Sequence, residues 1–81
     1  MIRLEVETKN PSEKAMQHLK AFFGSGGLGL DIVEETEGQI RFEGGGGYVG
    51  AVVCSAGKKS RIELVSREWE QQVKKFAAEV K

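Results

Sequence analysis

Apolar residues recur along this chain with two different periods. Ile2, Leu4 and Val6 alternate with Arg3, Glu5 and Glu7, the two-residue repeat of a strand with one buried face. A first strand is expected over 2–7. The period then lengthens, and Ala15, Met16, Leu19, Phe22 and Phe23 fall in one stripe at about 100° per residue, which predicts a helix over 11–23. Asn10 stands as its N-cap, Pro11 at its first position and Glu13 where a side chain reaches back to the cap; Gly24 reads as a left-handed C-terminal cap.

Alternation returns after the linker Gly24-Ser25-Gly26-Gly27. Leu28, Leu30 and Ile32 alternate with Gly29, Asp31 and Val33 and predict a second strand. Glu37-Gly38 reads as a tight turn into a third strand, with Ile40 and Phe42 inward and Arg41 and Glu43 outward. Gly44 to Gly47 read as a loop or a bulged extension, and Tyr48 to Ser55 as a fourth strand rich in β-branched residues. A turn at Ala56-Gly57-Lys58-Lys59 leads to a fifth strand, Ser60 to Val65, with Ile62 and Leu64 inward. Ser66 is placed to cap a last helix over 66–80, whose stripe is Trp69, Val73, Phe76, Ala77 and Val80.

The resulting order is β-α-β-β-β-β-α. Short connections favour antiparallel neighbours for strands two to five, and strand one closes against strand five. The expected fold is therefore a single α+β domain over 1–81, a mostly antiparallel five-stranded sheet of order 2-3-4-5-1 with two helices on one face. This order, with the amphipathic segment Arg67-Glu68-Trp69-Glu70-Gln71-Gln72-Val73-Lys74-Lys75-Phe76 lying on the sheet, resembles the TATA-box-binding-protein-like fold group and the related helix-grip domains. Larger helix-grip domains hold apolar ligands between a curved sheet and their long helix. In this chain the resemblance implies a groove walled by Met16, Phe22, Phe42, Trp69 and Phe76, which are also the residues a packed core of this fold needs.

Composition narrows the function. Twelve basic and twelve acidic residues cancel, where a domain that grips phosphate backbones shows a basic excess, so a nucleic-acid partner is not expected. No apolar run approaches the roughly 20 residues that span a bilayer, so no membrane partner is expected either. Cys54 is the single cysteine and has no internal disulfide partner; with an N-terminus that lacks a signal-peptide pattern, it suits a reducing cytoplasm. A chain of 81 residues without a staple is marginal alone and gains by oligomerising.

The motifs carry little chemistry. Gly24 to Gly29 match the glycine spacing of a dinucleotide fingerprint, but the string follows a helix and enters a strand, the reverse of what holds a pyrophosphate. His18 sits on the flank of its stripe without a partner in sequence, and Cys54 in an apolar strand reads as a small buried hydrophobe. Glu34, Glu35, Glu37 and Glu43 flank a hairpin and could bring carboxylates together as a hard cation needs, though acidic hairpin ends are commonly just solvated; Lys58, Lys59 and Arg61 could hold an anion or serve to discourage sheet aggregation. No catalytic, metal or cofactor set emerges, and the chain is not expected to be an enzyme.

The fourth strand sets this chain apart, because it is apolar on both faces. Tyr48, Val52 and Cys54 offer the larger volume and are expected beneath the helices, which puts Val49, Ala51 and Val53 on the open face with Val33 and Val65. An uncovered apolar set predicts a homo-oligomer or a protein partner, engaged through the open face or an edge strand. A small apolar ligand in the groove is the runner-up. The glycine run 44–47 marks either a backbone surface on which a ligand or another chain lies closely, or a mobile hairpin tip or a bulge that bends the sheet.

Overall fold

The structure, a computed structural model, describes residues 1–80. In chain order it consists of β1 (Ile2–Thr8), α1 (Ser12–Phe23), β2 (Asp31–Glu35), β3 (Gln39–Gly44), β4 (Gly47–Ala56), β5 (Lys59–Arg67) and α2 (Glu70–Val80). All pairings are antiparallel and the strands lie in the order β1-β5-β4-β3-β2. This is the α+β architecture and the strand order that the periodicity predicts. Among the described residues no helix is long and apolar enough to cross a membrane.

One core lies between the helices and one sheet face. Leu19 and Phe23 of α1, Val73 and Phe76 of α2, and Phe42, Val49, Ile62 and Leu64 of the sheet are buried in it. Phe76 ties the layers together, with its ring 5.4 Å from Phe22 and 5.5 Å from Phe23, which itself lies 5.6 Å from Phe42. Of the five residues expected to wall a groove or fill the core, Met16, Phe42 and Phe76 are buried, and Phe22 and Trp69 pack partly buried against them.

The faces of β4 are the reverse of the expectation. Gly45 and Gly46, with φ of 59° and 83°, form a two-residue turn between the paired Gly44 and Gly47, the hairpin geometry that demands glycine. No bulge intervenes, and residues directly opposite each other on neighbouring strands share a face. Phe42 pairs with Val49, Ile40 with Ala51, and Val53 with Ile62, so the inward direction of β3 and β5 is imposed on β4. Val49, Ala51 and Val53, expected on the open face, are therefore 0%, 3% and 6% exposed beneath the helices. Tyr48, Gly50, Val52 and Cys54 take the open face. Register outweighs side-chain volume here because a one-residue slip would unpair the whole hairpin.

The chain's own backbone explains the glycine run. Trp69, at the start of α2, lies over it and donates from Nε1 to the Gly44 carbonyl at 2.9 Å. A Cβ on Gly45 would come within 2.9 Å of the Trp69 ring, and one on Gly47 would collide with the Arg67 carbonyl oxygen. What approaches these glycines closely is the β5–α2 junction. At that junction Glu68 has φ of 74°, the left-handed region that a side chain occupies at a cost.

Several local expectations change for the same kind of reason. β5 continues to Arg67, and Ser66 is buried within it, donating to the Tyr48 carbonyl at 3.0 Å instead of capping a helix. Pro11 occupies the cap position of α1 without a side-chain cap, while Asn10 turns back to donate to Thr8 Oγ1 at 3.1 Å. Gly24 has φ of −82° and is not left-handed. The helix end is closed by Leu28 and Leu30, whose amides donate to the Phe22 and Phe23 carbonyls, so β2 begins only at Asp31. The turn after β2 closes from the Thr36 amide to the Gln39 carbonyl at 2.8 Å, with Gly38 outside the left-handed region.

Two predictions follow from this packing. Val49→Lys should abolish cooperative unfolding, because it buries an unpaired charge where the native side chain is fully enclosed, whereas Val52→Lys should change the stability read from urea unfolding by less than about 1 kcal/mol. Equal tolerance of both would contradict the register. Gly46→Ala should cost about 1–2 kcal/mol and Glu68→Gly should gain about 1 kcal/mol, each read from urea unfolding, because the two positions share the left-handed region.

Candidate interaction surface

The residues with chemical potential are kept apart by the sheet. His18 is half-buried on α1, whereas Cys54 is an exposed free thiol on the opposite, open face, where it pairs in register with Arg61. The expectation of a buried Cys54 fails with the inverted faces of β4. The acidic residues divide likewise: Glu35 pairs with Lys20 on the helix side, and Glu43 accepts from Arg41 at 3.3 Å on the open side. No group of three or more His, Cys, Asp or Glu among the described residues is arranged to hold a metal ion.

The open face is built in rows by the register. One row runs Arg3, Val65, Gly50, Arg41 and Glu34, and the next runs Glu5, Glu63, Val52 and Gln39. Apolar character is confined to the middle, where Tyr48, Val52 and Val65 are only half-exposed. The Arg41 guanidinium covers the Tyr48 ring at 4.5 Å. Val33 stands in a bulge at the far side, 51% exposed. Of the expected interface set, the structure thus keeps Val33 and Val65 on the open side and removes Val49, Ala51 and Val53. Covering this face would desolvate a ring of charges around a strip only two strands wide, which is costly.

The two sheet edges differ. β2 is exposed along its whole length, carries Asp31, Glu34 and Glu35, and is bulged between Ile32 and Glu34. Charge and a bulge are the devices by which an edge is kept from pairing. β1 carries as many charges, Arg3, Glu5 and Glu7, but they are of both signs and it has neither a bulge nor a proline: its seven residues run in unbroken register along β5, from Ile2 opposite Ser66 to Thr8 opposite Ser60. α2 packs over its helix-side face. No strand among the described residues lies along its outer side.

Which backbone groups of β1 face outward follows from the turns. Ala56 and Lys59 flank the two-residue turn Gly57–Lys58, and such a pair exchanges both of its hydrogen bonds, with alternation thereafter. Lys59, Arg61, Glu63, Val65 and Arg67 therefore aim their amides and carbonyls at β4, and Ser60, Ile62, Leu64 and Ser66 aim theirs at β1. The Val53 amide, donating to Gly38 on the β3 side at 2.8 Å, agrees with this phase. On β1, Ile2, Leu4, Val6 and Thr8 bond to β5, and the backbone groups of Arg3, Glu5 and Glu7 point away from the sheet.

The strand order read from sequence already leaves β1 and β2 at the edges, and the contrast between a bulged acidic edge and an unbroken one is what selects between them. The chain matches no protein family, no curated protein and no solved structure. The geometry of this surface carries the functional argument.

Proposed function

We propose that the protein is a small interaction module, not an enzyme, and that it self-associates by adding a strand of another chain to the outer edge of β1. The observation that carries this reading is the unbroken edge itself, with the backbone groups of Arg3, Glu5 and Glu7 aimed outward, beside a β2 edge that is bulged and acidic. Strand addition bonds those groups, at about 0.5–1.5 kcal/mol net for each hydrogen bond, and leaves the charged side chains of β1 in water. Closure through the open face would have to strip that water away. A domain of this size stands to gain from association, as the sequence also suggests.

An apolar ligand held as in helix-grip domains is the weaker reading. The rings of Phe22, Phe23, Phe42 and Phe76 pack against one another in a chain with centroids 4.9 to 5.6 Å apart, and the apolar cleft beside Phe22 and Phe76, about 330 Å³, opens outward past His18 and Glu79 and not between helices and sheet. A cytoplasmic setting belongs to the proposal as well, because the single exposed Cys54 suits a reducing compartment.

Glu5→Pro tests the proposal. The Glu5 amide points away from β5, so proline there removes an outward donor and leaves the ladder with β5 intact. The variant should unfold within about 1 kcal/mol of the native protein yet sediment as a monomer where the native protein associates. Unchanged association of a folded Glu5→Pro variant, or a native protein that is monomeric at millimolar concentration, would sink the proposal.

A further inference from the structure

We infer that two copies join β1 to β1, antiparallel, about a two-fold axis that passes between the Leu4 side chains. The inference rests on the reading of β1 as the associating edge and adds the partner's register. Only Arg3, Glu5 and Glu7 point their backbone groups outward, so hydrogen-bonded pairs across the new seam must be drawn from these positions in both copies. A two-fold axis makes the contact self-complementary, with each pair occurring twice unless it lies on the axis.

Few registers satisfy both conditions, and their charges separate them. With Arg3 on the axis two arginines face each other, and with Glu7 on the axis two glutamates do. With Glu5 on the axis, two Arg3–Glu7 pairs form around a Glu5–Glu5 clash. With Val6 on the axis, Glu5 faces Glu7 twice. With Leu4 on the axis, Arg3 of each copy faces Glu5 of the other, and no like charges stand directly opposite. Opposite charges across neighbouring strands stabilise a pair and like charges destabilise it.

The helix side of the seam fits the same register. Leu4 meets Leu4 on the axis, a non-hydrogen-bonded position where side chains come closest, and Ile2 of each copy meets Val6 of the other. Ile2 and Leu4 are half-buried in the single chain, so the seam covers apolar area that the fold leaves in part to water. Glu5 stands directly opposite Glu63 of its own chain and 3.8 Å from Arg61, so an arginine across the seam adds a second guanidinium to a position that already faces a like charge.

A charge exchange tests the register. Arg3→Glu alone should set glutamate against glutamate twice, and Glu5→Arg alone should set arginine against arginine twice, each weakening self-association by about tenfold or more in sedimentation equilibrium. Mixed together, the two variants should form a heterodimer close to native affinity, because both of its cross-pairs are again opposite in charge. A Glu5→Arg variant that associates as well as the native protein, or better, would overturn the Leu4 register in favour of an axis at Glu5 or Val6. A mixture that fails to associate, while Glu5→Pro still abolishes native association, would overturn the register and leave the edge proposal standing. Native association that survives Glu5→Pro would overturn both.

Discussion

The Gly45–Gly46 turn holds both of its residues at positive φ and pairs Gly44 with Gly47, and this leaves β3 and β4 a single register. The Gly57–Lys58 turn does the same for β4 and β5, with Ala56 opposite Lys59. Between them the turns determine which residues of three strands face the helices. Through the alternation of hydrogen bonds along β5 they also determine which backbone groups of β1 face out. Core, open face and free edge are thus consequences of one constraint, hairpin register, and Trp69 holds the first turn in place by lying on Gly45 and bonding to Gly44.

Much of this was legible in the sequence. The change of period from two to about 3.6 separates strands from helices, short connections make antiparallel neighbours, and the strand order follows. What escaped has identifiable causes. Ser66 has the chemistry of a cap, but its partner is a carbonyl on β4, distant in sequence. Leu28 and Leu30 keep the alternation of a strand while closing the end of α1. On β4 both alternating sets are apolar, so periodicity does not distinguish them, and volume pointed to the wrong one. The glycine run is compatible with a two-residue turn or with a three-residue loop and a bulge, which put opposite sets inward, and the structure takes the two-residue turn.

The inward set of β4 decides how much apolar surface the open face has. With Val49, Ala51 and Val53 inside, the apolar part of the open face shrinks to Tyr48, Val52 and Val65 among charged neighbours. A face of that kind is a poor seat for a partner, because charges must be desolvated around a narrow strip. The edges then matter more than the face, and they are not equivalent. β2 combines acids with a bulge, whereas β1 is unbroken in register and backed by α2.

Self-association through β1 requires that its outward amides be the groups another chain bonds, and amide hydrogen exchange at a series of protein concentrations reads those groups one by one. In dilute solution the Leu4 and Val6 amides should be protected by β5, while those of Arg3, Glu5 and Glu7 exchange freely. At concentrations where the protein associates, Arg3 and Glu5 should gain protection together. If their exchange stays fast while the protein is associated, or is slow at every dilution, the edge of β1 is not where the chains meet.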